Sequence, residues 1–370
     1  MKERKTWIDA TKSIAIVSVI LIHSLQEEYS FYPPDLNKLS TKHELFALIL
    51  FTIGRIGVPL FLMCTGFLLL GRDYNDKTTK RFWKRNVLGL VITCEIWIAL
   101  YNIFLILHGD EEFSILTFFK TMTFTTPVNF THNPTWYIPM IIGVYIFIPF
   151  LSSILAKFDW KLLRIPFAIT TFYLLVLPVI NNVLLAYKKE PAINQLYLNF
   201  SGDIYGVMII CGYLGLKWLK KISTPLLTLI TTVSFGSLLY LQFICYQEDY
   251  EYRTWYDNIF LVIIALCIFV IVSRKKQWHF AALCKTLANC SFGIYLIHKP
   301  ILMFMHNKVG GINEPVNLFI IFITVFGISW LLVYMLGKIP KLNRILFFMR
   351  VCEIKSVNRH SMISDGAVSS

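Results

Sequence analysis

Three ionisable residues share one apolar run. In "WIDATKSIAIVSVILIHS", residues 7–24, Asp9, Lys12 and His23 interrupt a stretch otherwise fit to cross a membrane. An imidazole titrates near neutrality, so His23 has the chemistry to accept a proton and return it. Lys12 and His23 are 11 residues apart. At about 100° per residue that is about 20° past three turns, so a helix carries both on one face, about 16 Å apart along its axis. Asp9 and Lys12, spaced i, i+3, can pair. The same residues also fit a passive anchor, with Lys12 reaching the inner headgroups and His23 the outer interface.

Other apolar runs carry polar residues of the same kind. "RIGVPLFLMCTGFLLLGR" (55–72) opens on Arg55, among Gly54, Gly57 and Pro59. Proline removes a backbone donor, which leaves carbonyls and an arginine to face an internal cavity. Arg55 also fits an ion pair with an acid such as Glu95 or Asp203. "SFGIYLIHKP" (291–300) places Tyr295 and His298 at i, i+3, with Pro300 bending the chain beyond them. "NPTWYIPM" (133–140) supplies Trp136 and Tyr137, fit for an aromatic belt or for a substrate. The polar stretch "DYNDKTTKRFWKRN" (73–86) gathers Arg81, Lys84 and Arg85 around Phe82 and Trp83. Cations among aromatics suit a phosphate-rich ligand, and guanidinium groups take phosphate oxygens two at a time. A positive anchor at the inner membrane face has the same composition.

The elements that position these residues are set by composition. Of 370 residues, 56% are hydrophobic and 15% charged. Apolar runs of about 20 residues recur throughout, the pattern of a polytopic α-helical membrane protein with about ten spans. The first run has no small-residue cleavage site after Ser24 and reads as a retained helix. The net charge of +13 is distributed by topology: 25 Lys and Arg fall in segments on the N-terminal side of the membrane and 7 on the other, with Lys12, Arg55 and Lys299 within or beside spans. The excess of Lys and Arg places both termini in the cytoplasm, and nucleic-acid binding is not implied. Eight cysteines are scattered without metal-ligand spacing, so neither disulfides nor a metal site is expected. Residues 1–337 form one membrane unit. Residues 338–370 form a basic tail, expected to lie first along the inner surface as a short amphipathic helix and then to be disordered. The segment 108–134 is expected to hold a short helix at the outer interface.

Together these motifs resemble the acyltransferase-3 family of integral membrane acyltransferases. "WIDATKSIAIVSVILIH" is similar to the family's first helix: a basic residue, ten residues, then His, with Asp three before the basic residue. "RIGVPLFLMCTGF", "TWYIPM" and "SFGIYLIH" follow the family's later signatures in order, so the resemblance runs from about residue 7 to 337. The chain looks most like the short standalone O-acetyltransferases of envelope glycans, such as those of enterobacterial common antigen and O-antigen; larger members append an extracytoplasmic domain. Lys12 and Lys84 stand where the family pattern usually has Arg, and Thr65 where it has Ser.

The resemblance implies acetyl-CoA, or a related acyl-CoA, as a cytoplasmic co-substrate. It implies a sugar hydroxyl of a bacterial envelope polysaccharide or its lipid-linked precursor as acceptor, and the bacterial inner membrane as location. It gives His23 the essential role, as general base or transient acyl carrier, and donor contacts to Lys12, Arg81 and Lys84, with Arg85 supplying a further guanidinium. Arg55, Tyr295 and His298 are candidates to stabilise the oxyanion, with Asp9, Glu95 and Trp136 in support. A thioester is reactive enough that no metal is required. The alternative from another class is a transporter of a lipid-linked glycan, which a proline-broken helix with polar residues on several spans also suits.

Overall fold

A computed structural model of the chain describes residues 4–28, 41–110, 112, 114–130, 133–192, 196, 202–247, 254–275, 277–309 and 315–349. Among the described residues the regular structure is helical, with no strand. The helices are α1 (Thr6–Glu28), α2 (Thr41–Arg55), α3 (Gly57–Leu69), α4 (Asp76–Phe82), α5 (Leu88–His108), α6 (Ile115–Met122), α7 (Tyr137–Lys157) and α8 (Trp160–Thr171). They continue with α9 (Leu177–Ala186), α10 (Asp203–Trp218), α11 (Thr224–Gln247), α12 (Ile259–Arg274), α13 (Ala281–Val309), α14 (Pro315–Leu336) and α15 (Leu342–Phe347).

Among the described residues, eight helical segments are long and apolar enough to cross a membrane. The two remaining runs of the ten expected form α10 and α12, each of 16 residues. At 1.5 Å per residue these reach about 24 Å, short of a hydrocarbon core of about 30 Å. α12 starts late because Asn258 caps it, its Oδ1 accepting from the N–H groups of Phe260 and Leu261.

α1 is central. It packs against α13, α2, α3 and α14, and 78% of its apolar window is buried within the bundle, against 28% for α14. A helix shielded from lipid on most sides can carry polar residues that a peripheral one cannot. Glycines bring the other layers close: a Cβ on Gly66 of α3 would overlap the Ile209 carbonyl of α10, and one on Gly212 would overlap the Met63 carbonyl.

Prolines shape the helices that hold the candidate residues. The second apolar run breaks at Ile56 into α2 and α3, and Pro59 has no N–H to return to the Arg55 carbonyl. Pro300 lies inside the continuous helix α13 and cannot bond the Leu296 carbonyl; the Tyr101 hydroxyl of α5 donates to that oxygen instead, at 2.5 Å. Cys284 falls within α13.

The segment 108–134 does contain a short helix, α6. A short helix, α15, follows residue 337, and one of its faces docks on the bundle. In and beside α15, Asn343, Phe347 and Met349 are buried, and the Trp97 indole of α5 donates to the Leu346 carbonyl at 2.6 Å. Packing thus extends past the expected boundary at 337, because Phe347 fills the space that Gly293 leaves on α13. The expected disorder of the last residues lies outside the described ones.

Candidate active site

The side chains of α1 and α13 meet in polar pairs along their length. At their centre His23 Nδ1 lies 2.8 Å from His298 Nε2. The rings are nearly parallel, at 12°, with centroids 4.8 Å apart. Because the nitrogens approach much closer than the centroids, the rings meet edge to edge in a hydrogen bond. His298 Nδ1 lies 2.5 Å from the Tyr295 carbonyl, which can only accept. Nδ1 must therefore carry the proton and His298 Nε2 the lone pair. With both rings neutral, His23 then donates through Nδ1. His298 is fully buried and His23 is partly exposed, so the chain of bonds runs from the interior towards an accessible imidazole.

Tyr295 and His298, expected as oxyanion donors, are engaged elsewhere. The Tyr295 hydroxyl donates to the Pro134 carbonyl at 2.7 Å, tying α13 to the turn before α7. Both ring nitrogens of His298 are used in the bonds just described. His298 is thus a hydrogen-bond partner of His23.

Arg55, at the end of α2, is 6% exposed and has no ion pair among the described residues, so the alternative pairing with Glu95 or Asp203 is not formed. Its guanidinium carbon lies 4.8 Å from the ring centres of both Phe51 and Trp255, and 5.5 Å from Tyr256. Its Nε is buried without a hydrogen bond. Aromatic faces satisfy a cation's charge but not its N–H directions, so the guanidinium retains donor capacity. Trp136 is half-buried against Tyr137, Tyr205, Trp255 and Tyr256, with centroids 5.1–6.1 Å away, an internal cluster rather than a belt facing lipid. From Tyr137 the ring contacts continue to Tyr295 and then His298. Arg55, Trp136, Tyr295, His298 and His23 thus belong to one connected cluster.

The residues expected at the donor end are not all joined to it. Asp9 is buried and pairs with Arg4, through Nε at 2.7 Å and Nη2 at 2.8 Å, and Arg4 also reaches Asn289 of α13 at 2.7 Å. The Asp9–Lys12 pair that the spacing allows is therefore replaced: the fork of Arg4 takes both carboxylate oxygens, which an ammonium one turn away cannot match. Lys12 is half-buried, close enough to feel Cys64 on α3, with no hydrogen bond or ion pair among the described residues. Arg81, Lys84 and Arg85 are exposed on α4 and the π-turn Trp83–Val87 that follows it. Phe82, buried against Tyr74 and Tyr145, fixes that segment while the cations project from it. Glu95 is half-buried on α5 and joins neither group.

Two features escaped sequence reasoning. Lys299, 2% exposed, bonds Glu27 Oε2 at 2.6 Å, beside the histidine pair on the same two helices. A lysine directly after His298 inside an apolar run was the available signal. Trp255 and Tyr256 complete the box around Arg55; an aromatic pair just before a helix-capping Asn258 was the corresponding one.

The family described as an acyltransferase domain, acyltransferase-3, matches residues 5–334. An amino-acid racemase of Enterococcus faecalis is 23% identical, over 93% of this chain and 48% of the racemase. The chain thus spans about half the length of that curated relative. No solved structure matches. The matched stretch contains α1, the π-turn segment and α13, with every residue of the histidine and arginine cluster, and the chain belongs to the acyltransferase-3 family.

Proposed function

We propose that the protein is a membrane O-acyltransferase that moves an acetyl group from cytoplasmic acetyl-CoA to a sugar hydroxyl of a bacterial envelope glycan or its lipid-linked precursor. The observation that carries the reading is the His23–His298 pair, in which a buried imidazole bonds a partly exposed one. Membership of the family supports acyl transfer as the reaction class.

In this reading His23 Nε2 removes the proton of the acceptor hydroxyl as its oxygen attacks the thioester carbonyl. His298 Nε2 accepts the Nδ1–H bond throughout and stabilises the imidazolium that forms. The tetrahedral oxyanion is met by the Arg55 guanidinium, whose Nε lacks a partner in the resting protein. When the intermediate collapses, the C–S bond breaks and the CoA thiolate takes the proton from His23. The products are an O-acetyl sugar and CoA. Arg81, Lys84 and Arg85, exposed and without ion pairs among the described residues, are suited to the phosphates of the donor. Lys12 offers a charge deeper along α1.

The test is transfer of labelled acetyl from acetyl-CoA to envelope glycan by purified protein. His23→Ala should abolish transfer while the protein remains in the membrane fraction. Transfer at the normal rate by that variant would remove His23 from the chemistry, and glycan movement across vesicles without acylation would favour a transporter.

A further inference from the structure

A cavity of about 370 Å³ lies between the helical stretch leading into α9, the start of α10 and the turn ahead of α12. Its polar and aromatic walls are Tyr173, Asn181, Asp203, Tyr205, Trp255 and Asp257. The volume is at the low end of the roughly 300–1,000 Å³ typical of ligand sites, suited to one compact unit rather than an extended polymer.

The lining divides into groups already committed and groups still available. Asn181 is spent on the backbone of Ala192, donating to its carbonyl at 3.0 Å and accepting from its N–H at 2.9 Å. Asp203 and Asp257 have no ion pair among the described residues. Burial lifts the Asp257 carboxyl above its ordinary value; its own backbone N–H draws it back, and the Asp203 carboxylate lifts it further. The two acids are therefore near enough to act on one ligand. The Trp255 indole lies close to the Tyr205 hydroxyl, and both rings line the cavity wall.

Carboxylates accept from hydroxyl groups, and the negative faces of aromatic rings receive C–H groups that carry partial positive charge. A saccharide offers both on one molecule. An anion would meet two carboxylates and no cation among the lining residues. A lipid chain would leave both acids unsatisfied.

Trp255 also belongs to the reacting cluster. It borders Arg55 at 4.8 Å and Trp136 at 5.1 Å, and through Tyr137 and Tyr295 the contacts reach His298. We propose that this cavity is the acceptor subsite and holds one neutral saccharide unit, its hydroxyls on Asp203 and Asp257 and a C–H face on Trp255 and Tyr205. The assignment rests on reading the chain as a glycan acyltransferase.

The experiment is saturation-transfer NMR on the full chain in nanodiscs. The probes are methyl glucoside, methyl galactoside, methyl N-acetylglucosaminide and methyl glucuronide, tested on the unaltered protein, Asp203→Asn and Asp257→Asn. At least one neutral glycoside should bind, the glucuronide should not, and each variant should weaken binding about tenfold, the scale of a charge-assisted hydrogen bond. Unchanged thermal unfolding of the variants keeps the comparison free of misfolding. The proposal is overturned if no glycoside binds, if both variants bind as the unaltered protein does, or if tetramethylammonium or calcium occupies the acids in place of glycosides. Acetyl transfer is measured in parallel. Glycoside binding through the two acids without transfer keeps the cavity and removes the enzymatic reading. Transfer with an acceptor KM unchanged in both variants keeps the enzyme and removes the cavity.

Discussion

Lys299 and Glu27 form an ion pair that is almost wholly out of solvent, one residue beyond His298 on α13 and one turn beyond His23 on α1. Removing one partner of such a pair leaves an uncompensated buried charge, at a cost of about 3–5 kcal/mol. Lys299→Met should therefore lower thermal stability strongly, and adding Glu27→Met should recover much of the loss; a Lys299→Met protein as stable as its parent would show that the pair holds nothing. The histidine bond makes a kinetic statement instead. His298→Ala removes the acceptor that fixes the His23 tautomer, so kcat should fall about a hundredfold or more, the scale of an oriented proton transfer, with the acceptor KM little changed. Equal kcat in initial-rate measurements would reduce His298 to packing. At this scale the sequence identified the individual side chains but not their partners. His23 and His298 stand out as imidazoles in apolar runs, yet their contact joins positions 275 residues apart and depends on how two helices pack. Asp9 shows the same limit: its nearest basic residue one turn away is Lys12, but Arg4 offers the better fork.

The helices set the site through the exceptions in their backbones. Pro300 frees the Leu296 carbonyl of α13, and Tyr101 of α5 takes its place as donor. Tyr101→Phe should thus cost about 1–3 kcal/mol, the penalty for a buried acceptor left unsatisfied. The loss should shrink in a Pro300→Ala background, where a backbone N–H returns to the same carbonyl. A thermal-unfolding double-mutant cycle reads this directly, and additive losses would mean that proline and tyrosine are independent. The glycine contacts act between helices. Gly212→Ala would push α10 from the Met63 backbone of α3, and the overlap is with a carbonyl rather than a movable side chain, so destabilisation of about 1–3 kcal/mol is expected. Apolar periodicity showed where these helices run, and the prolines showed where they were perturbed. Neither shows which neighbour satisfies a freed carbonyl or how near α10 and α3 approach, since both depend on tertiary packing.

For the whole molecule, charge and apolar runs were enough to read a helical membrane bundle, because lipid demands internal backbone bonding and the cytoplasmic side collects Lys and Arg. The docking of α15 was not readable in the same way: "LNRILFF" looks like a surface helix until Gly293 and Trp97 supply its seat. The proposed reaction requires the two ends of the bundle to face different compartments. Arg81, Lys84 and Arg85 must meet a cytoplasmic donor, while the turn carrying Trp255 and Asp257 must meet a glycan on the other side. With α10 counted as a crossing, the ten runs read from the sequence put these segments at opposite ends, and the 25 to 7 division of Lys and Arg predicts that the cationic end is cytoplasmic. A membrane-impermeant maleimide tests that assignment in a background lacking Cys352 and the partly exposed Cys284. Lys84→Cys, at an exposed position, should be labelled only in inverted vesicles. Glu112→Cys, in the segment between α5 and α6, should be labelled only in right-side-out vesicles. Labelling of Lys84→Cys from the outer side would put the cationic segment out of reach of acetyl-CoA, and the transfer route from donor loop to His23 would fail with it.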